Sequence, residues 1–117
     1  MTIQNEALTG RYAKLRDDLR LALQAGRAAE EGVPNDRGSC NLDATSIALP
    51  RWVEKKVVKA ATEAGTTVYI VGTGTNKQYI FEPDTSSQGY ARTANAEAMT
   101  VALKTAGYTS STYYRID

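Results

Sequence analysis

Three glycines, Gly32, Gly65 and Gly107, each close a stretch of helical periodicity, and the β-rich runs of the chain lie between and after them. Glycine is the residue that most readily ends a helix, so this punctuation fixes the number and order of elements more firmly than their boundaries. From about Glu6 to Glu31, the residues Leu8, Tyr12, Leu15, Leu19, Ala22 and Leu23 recur at three- and four-residue steps, the spacing of one helix face. At 1.5 Å per residue such a helix is ~35–40 Å long. That is more than a domain of this size needs, and it predicts a segment that projects or pairs with a second subunit. Arg16, Arg20 and Arg27 share another face, but Asp17, Asp18, Glu30 and Glu31 interrupt it, which reads as a solvated charged surface.

The stretch from Cys40 to Leu49 alternates imperfectly and reads as a strand. Pro50 is placed at the first position of a second helix, where a fixed φ is tolerated. That helix carries Val53, Val57, Ala60, Ala61 and Ala64 on its apolar stripe. The runs 67–71 and 78–81 form a hairpin joined by the glycine-containing segment 72–77. A third helix is predicted over 91–106 with Ala94, Ala98, Val101 and Ala102 facing inward, and Tyr108 to Ile116 adds a last strand. The fold class is α+β: a long N-terminal helix followed by a ferredoxin-like β-α-β-β-α-β antiparallel sheet with helices on one face. The chain reads as a single domain, 1–117, with the helix at 6–32 and the core at 39–117.

A chain of 117 residues supports one hydrophobic core. Its net charge of +1 argues against an indiscriminate nucleic-acid binder, whose affinity comes from an excess of Lys and Arg, and leaves a local basic face open. A single cysteine precludes an intramolecular disulfide and points to a reducing, cytoplasmic setting. No apolar run approaches the ~20 residues that span a bilayer, so no membrane association is expected. The chain has no histidine. Cys40 therefore lacks the usual base of a thiol nucleophile, and one thiol cannot build a zinc site. The expectation is a protein that is not an enzyme and holds no metal or cofactor, with a hard cation among Asp36, Asp43 and Asp117 as the minor alternative. Gly72-Thr73-Gly74 lacks the third glycine and following helix of a dinucleotide fingerprint and reads as a turn. Tyr79 and Phe81 occupy the central-strand position used by RNA-recognition sheets, but core packing is the favoured role.

The predicted topology brings two polar segments, 37–43 and 86–92, to one end of the sheet. There the third helix would present its free N–H groups, with Gly89 permitting close approach and Arg92 adding a charge. Arg37 would approach from the other segment, and Tyr90 or Trp52 would stack on a base. The result is an anion-favouring corner. The competing account is a cap and loop in which Arg92 pairs with Asp43, Asp84 or Asp117. Tyr113, in the Tyr-rich last strand, is of a type that supplies interface energy. The candidate ligand- or partner-binding residues are Arg37, Asn41, Arg51, Trp52, Gln88, Gly89, Tyr90, Arg92 and Tyr113.

Five fragments, Gly38-Ser39-Cys40-Asn41-Leu42-Asp43, Leu49-Pro50-Arg51-Trp52, Gln88-Gly89-Tyr90-Ala91-Arg92-Thr93, Ala106-Gly107-Tyr108 and Tyr113-Tyr114-Arg115-Ile116-Asp117, together resemble small accessory proteins of bacteriophages and prophages over roughly residues 37–117. The resemblance implies a non-catalytic protein, cytoplasmic in a bacterial host, that inhibits a defence system by binding a host protein or complex, including an anti-CRISPR acting on a Cas complex. It carries no catalytic residues. The alternative is a nucleotide- or nucleic-acid-binding module, including one that sequesters a signalling nucleotide, using the arginine corner. A homodimer is expected in either case.

Overall fold

Thr9, with extended backbone at φ −135°, precedes helix α1 (Gly10–Glu31) in a computed structural model that describes residues 6–34 and 41–115. The helix starts later than its apolar periodicity suggests. The Thr9 carbonyl accepts from the amides of Tyr12 (3.2 Å) and Ala13 (3.4 Å), so a residue type favoured at helix caps takes that position. Leu8 stays outside the helix but still packs on the core. The remaining elements are β1 (Ala44–Ala48), α2 (Glu54–Ala64), β2 (Val68–Val71), a short 3-10 turn (Gly74–Asn76), β3 (Gln78–Phe81), α3 (Gly89–Thr105) and β4 (Thr109–Tyr113).

The four strands form one sheet in the order β2-β3-β1-β4, with every neighbouring pair antiparallel. Strand alternation sends Thr45, Ile47, Tyr79 and Phe81 to one face, since Thr45 pairs with Phe81 and Ile47 with Tyr79. Ile47, Tyr79 and Phe81 join Leu15, Leu19, Ala22 and Leu23 of α1, Val57, Ala60 and Ala61 of α2, and Met99 and Leu103 of α3 in one buried cluster. All three helices therefore share this face. Tyr79 and Phe81 are core residues, 1% and 0% exposed, and do not offer stacking surfaces. Ile80 points to the opposite face, where Arg115 hydrogen-bonds the Tyr69 hydroxyl; burial, then Glu82, pushes that hydroxyl above the usual tyrosine range.

One boundary and one helix face differ from expectation for identifiable reasons. Pro50 does not open α2: it sits in a turn closed by the Trp52 amide donating to the Leu49 carbonyl at 3.3 Å, with Arg51 at φ +66°. Proline second and a positive φ third is the pattern of a type II turn, which normally carries glycine there. The left-handed residue forces α2 to begin at Glu54, after Val53. The inward face of α3 is also rotated. Ala91, Arg92, Asn95, Ala96, Met99, Thr100 and Leu103 are buried, whereas Val101 is 63% exposed. An alanine-rich helix has little apolar contrast around its axis, so polar Asn95 and Thr100 were not legible as core. Thr100 is accommodated by hydroxyl contacts with Thr45 (2.8 Å) and Thr112 (2.9 Å), which satisfy it without water.

Gly65 closes α2 in the left-handed region, φ +100°, a conformation that disfavours a side chain. Gly32 follows α1 at φ −81°, so there glycine marks the end without needing its special freedom. Among the described residues, no helix is long and apolar enough to cross a membrane.

Candidate functional site

The two polar segments do meet, and what they build is a closed network. Asn41 lies just before β1, and Gln88 and Gly89 begin α3. The Asn41 amide donates to Gln88 Oε1 at 3.0 Å. The Asn41 side-chain Nδ2 reaches Gly89 O (3.1 Å), Thr93 Oγ1 (3.0 Å) and Asp43 Oδ2 (3.3 Å). Asp43, only 4% exposed, also accepts from the Thr93 hydroxyl at 2.7 Å and from the Arg115 amide at 2.8 Å. Buried carboxylates persist when their lone pairs are answered in this way. Among the described residues, Asn41 Oδ1, like the Tyr79 hydroxyl and Asn95 Oδ1, has no hydrogen-bond partner.

Arg92 is turned inward. It is 9% exposed, donates from Nε to the Asp43 carbonyl at 3.0 Å, and pairs with Glu82 Oε2 at 2.7 Å. Its carboxylate partner is Glu82 rather than Asp43 or Asp84; Asp117, also expected, lies outside the described residues. The reason is topological: Glu82 leaves the end of β3 at the edge where α3 begins. A buried guanidinium needs a counter-charge, and once it has one it no longer adds net positive potential. Of the expected anion-favouring corner, Asn41, Gln88, Gly89 and Arg92 are engaged in a structural joint. Gln88 precedes α3 without a side-chain capping bond, and Tyr90, 74% exposed, stands outside the network. Tyr113 is half-buried at the end of β4, opposite Ala44. Arg37, like Asp36, Cys40 and Asp117, lies outside the described residues.

Beside this joint, Glu30 at the end of α1 accepts from Asn95 Nδ2 (2.9 Å) and Ser87 Oγ (2.8 Å). Burial acts to raise the Glu30 carboxyl, but hydrogen bonds from Thr85, Asn95 and Ser87 and the charge of Arg92 outweigh it, and the net shift is downward. The arginines on the second face of α1 are likewise engaged. Arg16 pairs with Asp17 and with Glu63 of α2, Arg20 with Asp17, and Arg27 with Asp84 at 2.7 Å.

Arg51 and Trp52 are not part of the corner. They follow β1, whereas Asn41 and Asp43 precede it, so the two groups occupy opposite ends of the strand. At the Arg51 end the start of α1 comes alongside α2. Arg11 donates to the Arg51 carbonyl at 3.0 Å, and its guanidinium carbon lies 4.4 Å from the Trp52 ring centre and 5.3 Å from that of Tyr12. The Tyr12 and Trp52 rings meet edge to face, 5.1 Å apart, and Lys56 Nζ lies 5.3 Å from the Tyr12 ring centre. The Tyr12 hydroxyl accepts from the Val53 amide at 2.9 Å. Burial acts to raise that hydroxyl, but the Val53 bond and the Arg11 and Lys56 charges bring it below the usual tyrosine range. A recess of 60 Å³ opens beside it, lined by Glu6, Ala7, Leu8, Thr9, Tyr12 and Lys56.

This end was only half visible in the sequence. Arg51 and Trp52 were candidates, but Arg11, Tyr12, Lys55 and Lys56 were not, because packing of the start of α1 against α2 joins residues 40 positions apart. The local signal was the sequence from Arg51 to Lys56, with an aromatic residue interleaved among cations. Among the described residues, no group of three or more His, Cys, Asp or Glu side chains could hold a metal ion. Comparison of the chain with protein-family models, curated proteins and solved structures finds no match.

Proposed function

We propose that the chain is a non-catalytic binding protein whose working surface is the Arg11–Arg51–Trp52–Lys55–Lys56 end, and that its partner is an anionic macromolecule. One observation carries this reading. Among the described residues, Lys14, Arg16, Arg20, Arg27, Lys59 and Arg92 each have a carboxylate partner within ion-pair distance, whereas Arg11, Arg51, Lys55 and Lys56 have none. Among the described residues Lys77, Lys104 and Arg115 also have none, and what sets this end apart is that its unpaired cations stand beside two aromatic rings. Arg, Tyr and Trp are the residue types that concentrate binding energy at interfaces. The frame that presents them is read as the ferredoxin-like split βαβ class, which the placement of β1 between β3 and β4 supports.

The test compares retention on an immobilised polyanion for two variants of equal charge. Arg51→Asn/Lys55→Gln should elute at markedly lower salt than wild type, while Lys77→Gln/Lys104→Gln should elute close to it. Equal shifts would mean that only net charge is sensed, and the proposal would fall.

A second reading rests on a different surface. Tyr90, Glu97 and Val101 lie at seven- and four-residue steps on the outer face of α3. Tyr90 and Val101 are exposed, as is Tyr114 of the following segment, whose hydroxyl bonds Glu97. This face supports the phage-type expectation of a protein that occupies a host defence complex, including a CRISPR–Cas complex. Capture of a defined, nuclease-resistant complex from a bacterial host, lost in Tyr90→Ala/Val101→Ser, would establish it. Capture unaffected by that variant would remove this face from consideration.

A further inference from the structure

We infer that the cationic end binds single-stranded nucleic acid through its phosphates, with bases resting on the Trp52–Val53 surface; this rests on the proposal of an anionic macromolecular partner. Three features separate single-stranded nucleic acid from other polyanions.

The first is pre-organisation of charge. Arg11 is held over the Trp52 and Tyr12 rings and tied to the Arg51 carbonyl, and Lys56 is held over Tyr12. A long cationic side chain loses rotamer freedom when it docks, and one already resting on an aromatic face has less to lose. A guanidinium also presents its donors as a planar fork that matches phosphate oxygens.

The second is the mixture of surfaces. Val53 is 46% exposed and Trp52, packed on the core, is partly exposed, in sequence between Arg51 and the pair Lys55 and Lys56. A duplex meets a protein surface with its phosphates and groove edges, and apolar groups among the cations would gain little from it. A single strand brings unstacked bases along with each phosphate and can place them on such groups.

The third is scale. The four cations come from the start of α1, one turn and the first turn of α2, a span suited to a few nucleotides. Glu6 lines the recess beside Lys56, and Glu54 opens α2. The local excess of positive charge is therefore moderate, and binding should be salt-sensitive and largely independent of sequence.

Trp52 is the only tryptophan in the chain, so its fluorescence reports on this site without a label. Titration with oligothymidylate should quench it. The logarithm of the binding constant should fall with the logarithm of salt concentration at a slope of roughly −3 for four phosphate contacts on a single strand. Arg51→Asn and Lys56→Gln should each flatten that slope by about 0.7. Asparagine is chosen at position 51 because it tolerates the left-handed backbone there. Unchanged far-ultraviolet dichroism in each variant confirms that the fold is retained.

Tighter binding of a same-length duplex, or a slope unaffected by either substitution, would overturn the single-strand assignment. If polyglutamate quenches Trp52 with the same variant sensitivity and oligothymidylate does not, the partner is an acidic protein. The nucleic-acid inference then falls while the anionic-partner proposal stands. If neither polymer binds, both fall.

Discussion

Gly26 of α1 lies so close to Asn95 of α3 that a Cβ on residue 26 would sit 2.0 Å from Asn95 Oδ1 and 3.0 Å from its backbone oxygen. The same Asn95 is fully buried and donates to Glu30 at 2.9 Å, so its side chain is not free to swing aside. The contact fixes how closely the two helices approach and places Glu30 beside the loop that leads into α3. Overpacking at such a site costs ~3 kcal/mol, and Gly26→Ala should lower the urea midpoint accordingly. Asn95→Ala should also destabilise by removing the bond to Glu30. The double variant should lose less than the sum, because each change relieves part of the conflict created by the other. Strict additivity would show that the helices do not meet at this pair.

Arg92 and Glu82 make a second prediction, one that separates a structural joint from a ligand site. Removing one partner of a buried ion pair leaves an uncompensated charge and costs roughly 3 kcal/mol. Partial exposure of Glu82 reduces this toward ~2 kcal/mol. Arg92→Ala should therefore shift the chemical denaturation midpoint by an amount that changes little with added salt. Arg92→Lys should recover only part of it, since an ammonium lacks the fork that reaches both the Asp43 carbonyl and Glu82. An Arg92→Ala protein as stable as wild type would refute this account and return Arg92 to the candidate binding residues.

The meeting of the two polar segments was legible because it depends only on the order of elements and the reversal of direction at each turn. The use made of that meeting was not. Glu82 precedes Arg92 by ten residues and gives no sequence sign of being its partner; only the emergence of β3 beside the start of α3 pairs them. The stripe on α1 was read correctly at Leu15, Leu19, Ala22 and Leu23 because leucines contrast sharply with their charged neighbours. On α3, Val101 was placed inward with Ala94, Ala98 and Ala102, yet its position on the helix leaves it in solvent. The Arg11–Trp52 contact is the least local of these. It requires α1 to pack against α2 with its start next to the turn after β1, and no periodicity encodes that approach.

Tyr108 supplies a prediction about alkaline pH. Its hydroxyl donates to Asp18 Oδ2 at 2.7 Å, and Lys14 both pairs with Asp18 at 2.6 Å and lies 4.9 Å from the Tyr108 ring centre. Burial disfavours the phenolate, and the hydrogen bond to Asp18 favours the neutral form further, so the hydroxyl is held well above the usual tyrosine range. A folded pKa raised above the unfolded value of about 10 means that the folded state retains its proton longer. The associated stability is fully present below that pH. It is lost progressively as pH rises above it, because the unfolded chain ionises first. Tyr108→Phe should cost ~1 kcal/mol at neutral pH through the lost hydrogen bond. It should also show a shallower loss of stability above about pH 10 than wild type. Denaturation midpoints measured across the alkaline range decide the matter: parallel curves for the two proteins would mean that Tyr108 titrates normally and that its contact with Asp18 does not persist in solution.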